Sequence, residues 1–592
     1  MKNKVRIILF FMAVLLFLLP CAYSQEQVEY IIDMPQPASH FFEVTVKFKA
    51  PDNGYTQVLF PVNVPGHYTD ENFVKDLQEF SAFDGDNKPL KFERTGLNQW
   101  KVYHPENSSV NIKYRVYANN QDIHYSYLNS QRVLINPASL CMYIKDKTDV
   151  PCRMTVNFPG YWRVATSLKK TEDGAYYAPS YDVLADSPVM AGFFKTDKII
   201  YKDVVYNIIL DSVIRLDLGK FTPDLEKIIK QEVDMMGGVP FKEYYFFILG
   251  YPDRRVNGAT EHTSSSIIGF STENINYIDE KLMKSLLGVC AHEFFHLWND
   301  KCIHAANIYP YDYNDTNLTR LYWFFEGFTQ YYGDLFTEMA GIIDRKEYFN
   351  KLENNIDYLK NVASAKIISA QEASFAGNYL EPQNKDENIL NFYSKGAVIA
   401  LLADMEIRHK TGNKKSLDDV MRYLYLNYGL KNISIKESDL ESIFQQASGV
   451  DLKDIFNNYI KGTEDIDYNK YLNYAGLELK EKKGEAEVFA GIKGDYSYKG
   501  LRVKKVEKDS PADKACIYID DLIVAVNGIK IPDADFLNGR KKDDKISIQL
   551  FRDNILEEVQ LVLESKEPES YTITEIENPN VLQKKILKSW LD

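Results

Sequence analysis

The sequence predicts a multidomain α+β protein, with an N-terminal antiparallel β-sandwich, a mainly helical middle and a smaller C-terminal β-domain. Three observations carry this. From residue 27 to about 195, apolar and polar residues alternate in short runs such as Phe42-Glu43-Val44-Thr45-Val46-Lys47-Phe48 and Val110-Asn111-Ile112-Lys113-Tyr114-Arg115-Val116, broken by Pro, Gly and Asn. That is the pattern of strands with one buried face. From about 196 to 475 the apolar period lengthens, and helices are expected over Leu282 to Asp300, Leu321 to Met339 and Ile389 to His409, with N-caps at Ser416 and Ser438 opening two more. From about 476 to 566 the β pattern returns, followed by a polar tail with a short amphipathic end at Val581 to Leu591. The expected boundaries are 1–24 for a signal peptide, 25–195, 196–475, 476–566, and 567–592 for a C-terminal extension. No solenoid repeat or low-complexity tract interrupts the chain.

A chain of 592 residues suits three or four domains, and 45% hydrophobic with 13% aromatic residues describes an ordered one. A net charge of -14 with no dominant basic patch argues against nucleic acid as a partner. Lys2, Lys4 and Arg6 precede an apolar run from Ile7 to Leu19, too short for a comfortable membrane span, and Ala22-Tyr23-Ser24 supplies the small residues of a cleavage site. Export to the periplasm or beyond is expected, with Gln25 as the first mature residue and no stable transmembrane segment after processing. The alternative is a lipid anchor at Cys21, which Pro20 disfavours. The five remaining cysteines are no disulfide framework. Cys141 and Cys152 flank the turn-like 145–149 stretch, and their pairing across a hairpin is left open. Cys302 reads as a buried thiol, with metal ligation the alternative.

The chemistry centres on His292-Glu293-Phe294-Phe295-His296. On a helix, positions i and i+4 share a face, so both imidazoles can reach one metal ion and Glu293 can reach a water bound to it. Zinc lowers the pKa of such a water, and the carboxylate takes its proton as it attacks a carbonyl. A third ligand follows in Trp323-Phe324-Phe325-Glu326-Gly327, where an unpaired carboxylate in an aromatic run would be costly without a cation.

His-Glu-Phe-Phe-His-Leu-Trp-Asn, with 29 residues between His296 and the Glu326 of Trp-Phe-Phe-Glu-Gly-Phe-Thr-Gln-Tyr-Tyr, resembles the M61 family of metallopeptidases, the glycyl aminopeptidase family. Three further blocks resemble it. They are Pro61-Val62-Asn63-Val64-Pro65-Gly66-His67-Tyr68, Tyr393-Ser394-Lys395-Gly396 with Leu402 to Arg408, and Asn458 to Asp465. The resemblance spans about 27 to 566 and implies a thermolysin-like (gluzincin) catalytic domain between the β-domain and a C-terminal PDZ domain. It implies one Zn2+ per chain held by His292, His296 and Glu326, with Glu293 as general base and Tyr393 donating to the oxyanion. Gly258-Ala259-Thr260-Glu261-His262 resembles the Gly-x-x-Glu block of related aminopeptidases. Gly258 would lie on a strand that pairs with substrate, and Glu261 would bind its α-ammonium. The 501–528 segment resembles a PDZ domain, with Lys499-Gly500-Leu501 like its carboxylate loop and Cys516 where Gly is common. The chain departs from the family after the zinc motif, where Asn299-Asp300-Lys301-Cys302-Ile303-His304-Ala305 replaces a basic stretch, and after Tyr68. His304 reads as a packing residue, with a role around the substrate the alternative, and Gln330 as a group able to orient a metal ligand.

The expected activity is a zinc aminopeptidase that removes N-terminal residues, small ones such as Gly or Ala, from peptides. A zinc endopeptidase whose PDZ domain recruits proteins, and a non-catalytic peptide-binding, chaperone-like protein, are the alternatives.

Overall fold

The computed structural model describes residues 27–592 except 65, 68, 253–256, 273–276, 377–389, 485 and 568. The segment read as a signal peptide, Cys21, and the Pro65 and Tyr68 of the N-terminal block lie outside the described residues. The fold is multidomain α+β, with a β-rich N-terminal domain and a helical catalytic domain. Among the described residues no helix is long and apolar enough to cross a membrane.

The N-terminal domain follows from its alternation. Phe41–Lys49 buries Phe42, Val44, Val46 and Phe48, and Ser109–Tyr117 buries Val110, Ile112, Tyr114 and Val116. These strands lie beside each other in a seven-stranded sheet. Its inward residues share one core with Val58, Trp100 and Val102 from a four-stranded sheet, which makes the sandwich. It is not wholly antiparallel, because Val28–Asp33 runs parallel to Cys152–Asn157. The excursion through the second sheet between those strands supplies the long crossover a parallel pair requires. Tyr143–Ile144 and Cys152–Asn157 belong to different sheets, so the 145–149 turn closes no hairpin. Cys141 and Cys152 are buried free thiols.

A five-stranded mixed sheet follows, in the order Phe194–Tyr201, Val204–Asp211, Glu243–Tyr251, Ser265–Ser271, Asn257–His262. The Asn257–His262 strand is its edge, antiparallel to Ser265–Ser271, with Gly258 opposite Gly269 and Glu261 opposite Ser266. The helices include α1 (Leu218–Met236), α2 (Glu280–Phe295), α3 (Tyr322–Met339), α4 (Phe392–Lys410) and α5 (Val581–Leu591). Asp279 caps α2 through Leu282 N and Asn391 caps α4 through Tyr393 N and Ser394 N. The expected helix to Asp300 ends early. The amides of Leu297 and Trp298 bond back three residues, to Phe294 and Phe295, and Asp300 has φ 131°, a value no helix accommodates.

The described chain forms two compact units. One comprises residues up to Leu321, with Tyr332–Ile342 and Val420–Ile443; the other comprises Tyr322–Tyr331, Ile343–Asp419 and Phe444–Asp592. Helix α3 contributes to both. In the second unit, a sheet built on Ile492–Ser497, Gly500–Val506, Leu522–Val526, Lys545–Arg552 and Ile555–Val562 encloses its own core around Val503, Ile523, Ile548 and Leu550. Lys499-Gly500-Leu501 lies at the hairpin turn joining the first two of these strands. Cys516 has φ 58°, in the left-handed region where glycine costs least. Leu477–Lys483 pairs antiparallel with Glu569–Glu575, with Lys483 opposite Glu569, and Glu487–Phe489 pairs with Glu564–Lys566 next along. The tail beyond is built in rather than loose. Trp590 on α5 is buried, its Nε1 donates to Tyr331 Oη at 2.9 Å, and that hydroxyl donates to Asp404, which also accepts from Arg408 and from Leu417 N.

Two glycines let α3 and α4 cross closely. A Cβ on Gly396 would fall on the Trp323 carbonyl oxygen and 2.8 Å from Gly327 Cα, both immovable backbone. Gly396→Ala is therefore expected to destabilise the protein by about 2 kcal/mol or more, because overpacking outweighs the helix propensity gained. A thermal midpoint at or above the parent's would show that the crossing has slack.

Candidate active site

Helix α2 delivers the two histidines and the turn after it aims one of them. His296 Nδ1 lies 3.0 Å from the Asn299 carbonyl oxygen, an arrangement that holds the proton on Nδ1 and leaves Nε2 for another partner. His296 Nε2 and His292 Nε2 are 3.0 Å apart, close to the spacing of two ligands on one ion. Burial lowers both imidazoles, His292 well below its ordinary value and His296 to about 4, so both are neutral at physiological pH. Glu326, on α3, completes a group with them in which one ligand atom from each residue lies within 4.8 Å of the others. Burial pushes the Glu326 carboxyl up to about 8, against a hydrogen bond from Tyr393 that favours its charged form. A buried carboxylate with two neutral imidazoles is a donor set that fits zinc.

Glu293 is buried on α2. Burial and the neighbouring Glu261 charge raise its carboxyl well above the ordinary value, with Lys301 opposing. That direction suits a general base working near neutral pH. Glu261 is 3% exposed on the edge strand. Among the described residues, Oε1 of Glu261 and Oε2 of Glu293 have no hydrogen-bond partner, which for buried carboxylate oxygens is costly unless a ligand supplies it.

Sequence reasoning missed the support beneath Glu261. Asp300 hydrogen-bonds Glu261; burial raises Asp300 to about 6, Lys301 opposes, and the Glu261 charge adds to the rise. Lys301 Nζ lies 3.9 Å from Asp300 and 3.5 Å from Asp186, and Asp186 is 2.9 Å from His262 Nδ1. Burial alone would raise Asp186, but Lys301, His262 and Thr263 hold it below the carboxylate range. The local signal was the Asp-Lys pair right after the zinc motif; nothing in the spacing tied it to Asp186.

Other expectations resolve differently. His304 stacks on Tyr309 at 3.8 Å and its Nε2 lies 3.1 Å from Asn432 Oδ1, a packing role. Cys302 is a free thiol whose Cβ is part of the close surroundings of Gly429, and it joins no metal-ligand group among the described residues. Gln330 is half-buried on α3, one turn beyond Glu326.

Comparison with known proteins bears on this arrangement. The family model of the peptidase M61 N-terminal domain matches residues 29–193, and that of the M61 glycyl aminopeptidase matches 285–399. A crystal structure of an aminopeptidase N family protein from Idiomarina loihiensis is similar with a TM-score of 0.87 at 25% identity, covering 95% of this chain and 100% of that one. An M1 zinc metallopeptidase from Deinococcus radiodurans aligns at TM-score 0.46 and 14% identity over 75% of this chain and 94% of its own, a likeness too distant to bear on chemistry. The curated Serine protease Do-like HtrB of Bacillus subtilis (strain 168) is 29% identical over 133 residues, which is 21% of this chain and 28% of that protein's length. The second matched segment contains His292, Glu293, His296, Glu326 and Tyr393; the chain carries M61-type N-terminal and catalytic regions and is a zinc metallopeptidase.

Proposed function

We propose that this peptidase is an exported aminopeptidase that removes N-terminal residues, small ones such as Gly or Ala, from peptides. The observation that carries the exopeptidase reading is Glu261, a buried carboxylate on an edge strand with one oxygen unpartnered, close enough to Glu293 for their charges to interact. A substrate laid along the Asn257–His262 edge would bond its backbone near Gly258 and bring its α-ammonium to Glu261 by a charge-assisted hydrogen bond.

His292, His296 and Glu326 would hold zinc, which when bound acidifies a coordinated water and polarises the scissile carbonyl. Glu293 takes the proton of the attacking water and returns it to the leaving amine. The Tyr393 hydroxyl donates to the oxygen that gains charge in the tetrahedral intermediate. Its hydrogen bond to Glu326 holds the phenol in the site before substrate arrives.

The reading extends to residues 476–566 as a PDZ-type module that captures peptide by strand addition. An antiparallel sheet with its own core and Ile492–Ser497 at its edge supports it. A rise in kcat/KM with peptide length that disappears when 485–567 is excised is the expected result; a rise that persists would remove the role. Export with cleavage after Ser24 predicts a mature protein beginning at Gln25, and an acylated Cys21 in intact-mass analysis would replace it with a lipid anchor.

Matched Gly and Ala peptides, with free or acetylated N-termini, test the central reading. Chelator-sensitive cleavage of the free-amine set alone is expected, and cleavage of the acetylated set would make the enzyme an endopeptidase. Glu261→Gln should raise KM for free-amine peptides about tenfold or more, the worth of one charged hydrogen bond, and an equal effect on blocked peptides would refute amine binding. Glu293→Gln should cost about 10²-fold or more in kcat without loss of metal. Tyr393→Phe should lower kcat by about 10²-fold; weakened metal affinity at unchanged kcat would reassign Tyr393 to positioning Glu326.

A further inference from the structure

A second group of two histidines and a glutamate converges in the first unit. His67 and Glu71 stand four residues apart just before the Phe73–Asp76 turn, and His124 comes from the loop after the Ser109–Tyr117 strand. One ligand atom from each lies within 4.8 Å of the other two. Glu71 Oε1 is 2.9 Å from His67 Nδ1 and 3.6 Å from His124 Nδ1. The imidazoles stack with centroids 3.9 Å apart and planes at 28°.

The neighbours hold His124 and Glu71 as ligands are held. Asp122 Oδ1 lies 3.1 Å from His124 Nδ1 and also accepts from the His124 amide at 2.8 Å. A carboxylate on Nδ1 keeps the proton there and frees Nε2, the usual way a metal-binding histidine is oriented. The Tyr125 hydroxyl hydrogen-bonds Glu71 and accepts from Lys75 Nζ at 3.0 Å. His124 is 9% exposed, and the Glu71 side chain 10%. Two imidazoles and a carboxylate, partly sheltered and braced from behind, are a donor set for zinc or a similar divalent transition metal.

The site adjoins the edge strand. Gly66, with φ +88°, directly precedes His67, and a Cβ there would lie 2.8 Å from Thr260 Oγ1 and 3.0 Å from the Glu261 carboxyl carbon. Gly66 therefore lies directly against Glu261, at the one kind of residue small enough to do so.

We propose that His67, Glu71 and His124 bind a second divalent transition metal ion, which pins Gly66 against Thr260 and Glu261. The binding site stands independently of the aminopeptidase reading; its effect on substrate amines rests on that reading.

The test is Zn2+ titration of chelator-stripped full-length protein in competition with a chromophoric chelator. The parent should take up two equivalents, His292→Ala one, His124→Ala one, and the double variant none. Glu71→Gln, nearly isosteric, should also take up one, and serves if His124→Ala fails to fold. A parent that takes up one equivalent, lost in His292→Ala, would overturn the second site while leaving the active-site reading intact. Two equivalents retained in both His124→Ala and Glu71→Gln would also overturn it. In the variants that keep one equivalent at His292 and His296, KM for free-amine dipeptides should rise severalfold with kcat little changed. An unchanged KM would overturn the pinning of Glu261.

Discussion

The contact between His296 Nδ1 and the Asn299 carbonyl is a small feature on which much of the site depends. It forms because the chain leaves the helix immediately after the second histidine. Had α2 continued to Asp300, the Asn299 carbonyl would have run along the helix axis toward the next turn and could not have met the ring three residues earlier. The same turn brings the Lys301 amide back to the His296 carbonyl at 3.1 Å and sends its ammonium group toward Asp186. One local departure from helical geometry thus orients a candidate metal ligand and places the cation that steadies the acids around Glu261.

Those acids dominate the electrostatics around Glu293. Glu261, Glu293 and Asp300 are gathered in a space nearly shut off from water, with Lys301 as the cation that acts on all three. Carboxylates so placed cannot all ionise without further positive charge. Added positive charge nearby would therefore stabilise the cluster. The buried network of Asp186, His262 and Lys301 keeps the acids fixed in the meantime, and so spares binding the reorganisation it would otherwise require.

Local pattern carried much of this before any coordinates. Alternation located Phe41–Lys49 and Ser109–Tyr117 to within a residue, because a half-buried strand must alternate. The i, i+4 spacing put His292 and His296 on one helical face, and the aromatic run around Glu326 marked a carboxylate in apolar company. What pattern could not supply was long-range meeting. The parallel pairing of Val28–Asp33 with Cys152–Asn157, the reach of Lys301 to Asp186 and the convergence of His67 with His124 each join segments that share no period. The turn at Asp300 escaped for a different reason, since amphipathic residues continue past it and nothing in their spacing calls for a positive φ there. The last residues looked like a polar tail because a single buried tryptophan, Trp590, does the anchoring, and one residue makes no pattern.

The ladder between Leu477–Lys483 and Glu569–Glu575 has an architectural meaning. Its two strands end opposite each other at Lys483 and Glu569, so everything between them enters and leaves the body through one doorway. The C-terminal sheet is thus a guest within a hairpin, and its host would close over the gap with a tight two-residue turn. Guests attached at a single point can be exchanged without redrawing the host's core. An enzyme built this way can change its C-terminal module without disturbing the helices that carry Glu326 and Tyr393.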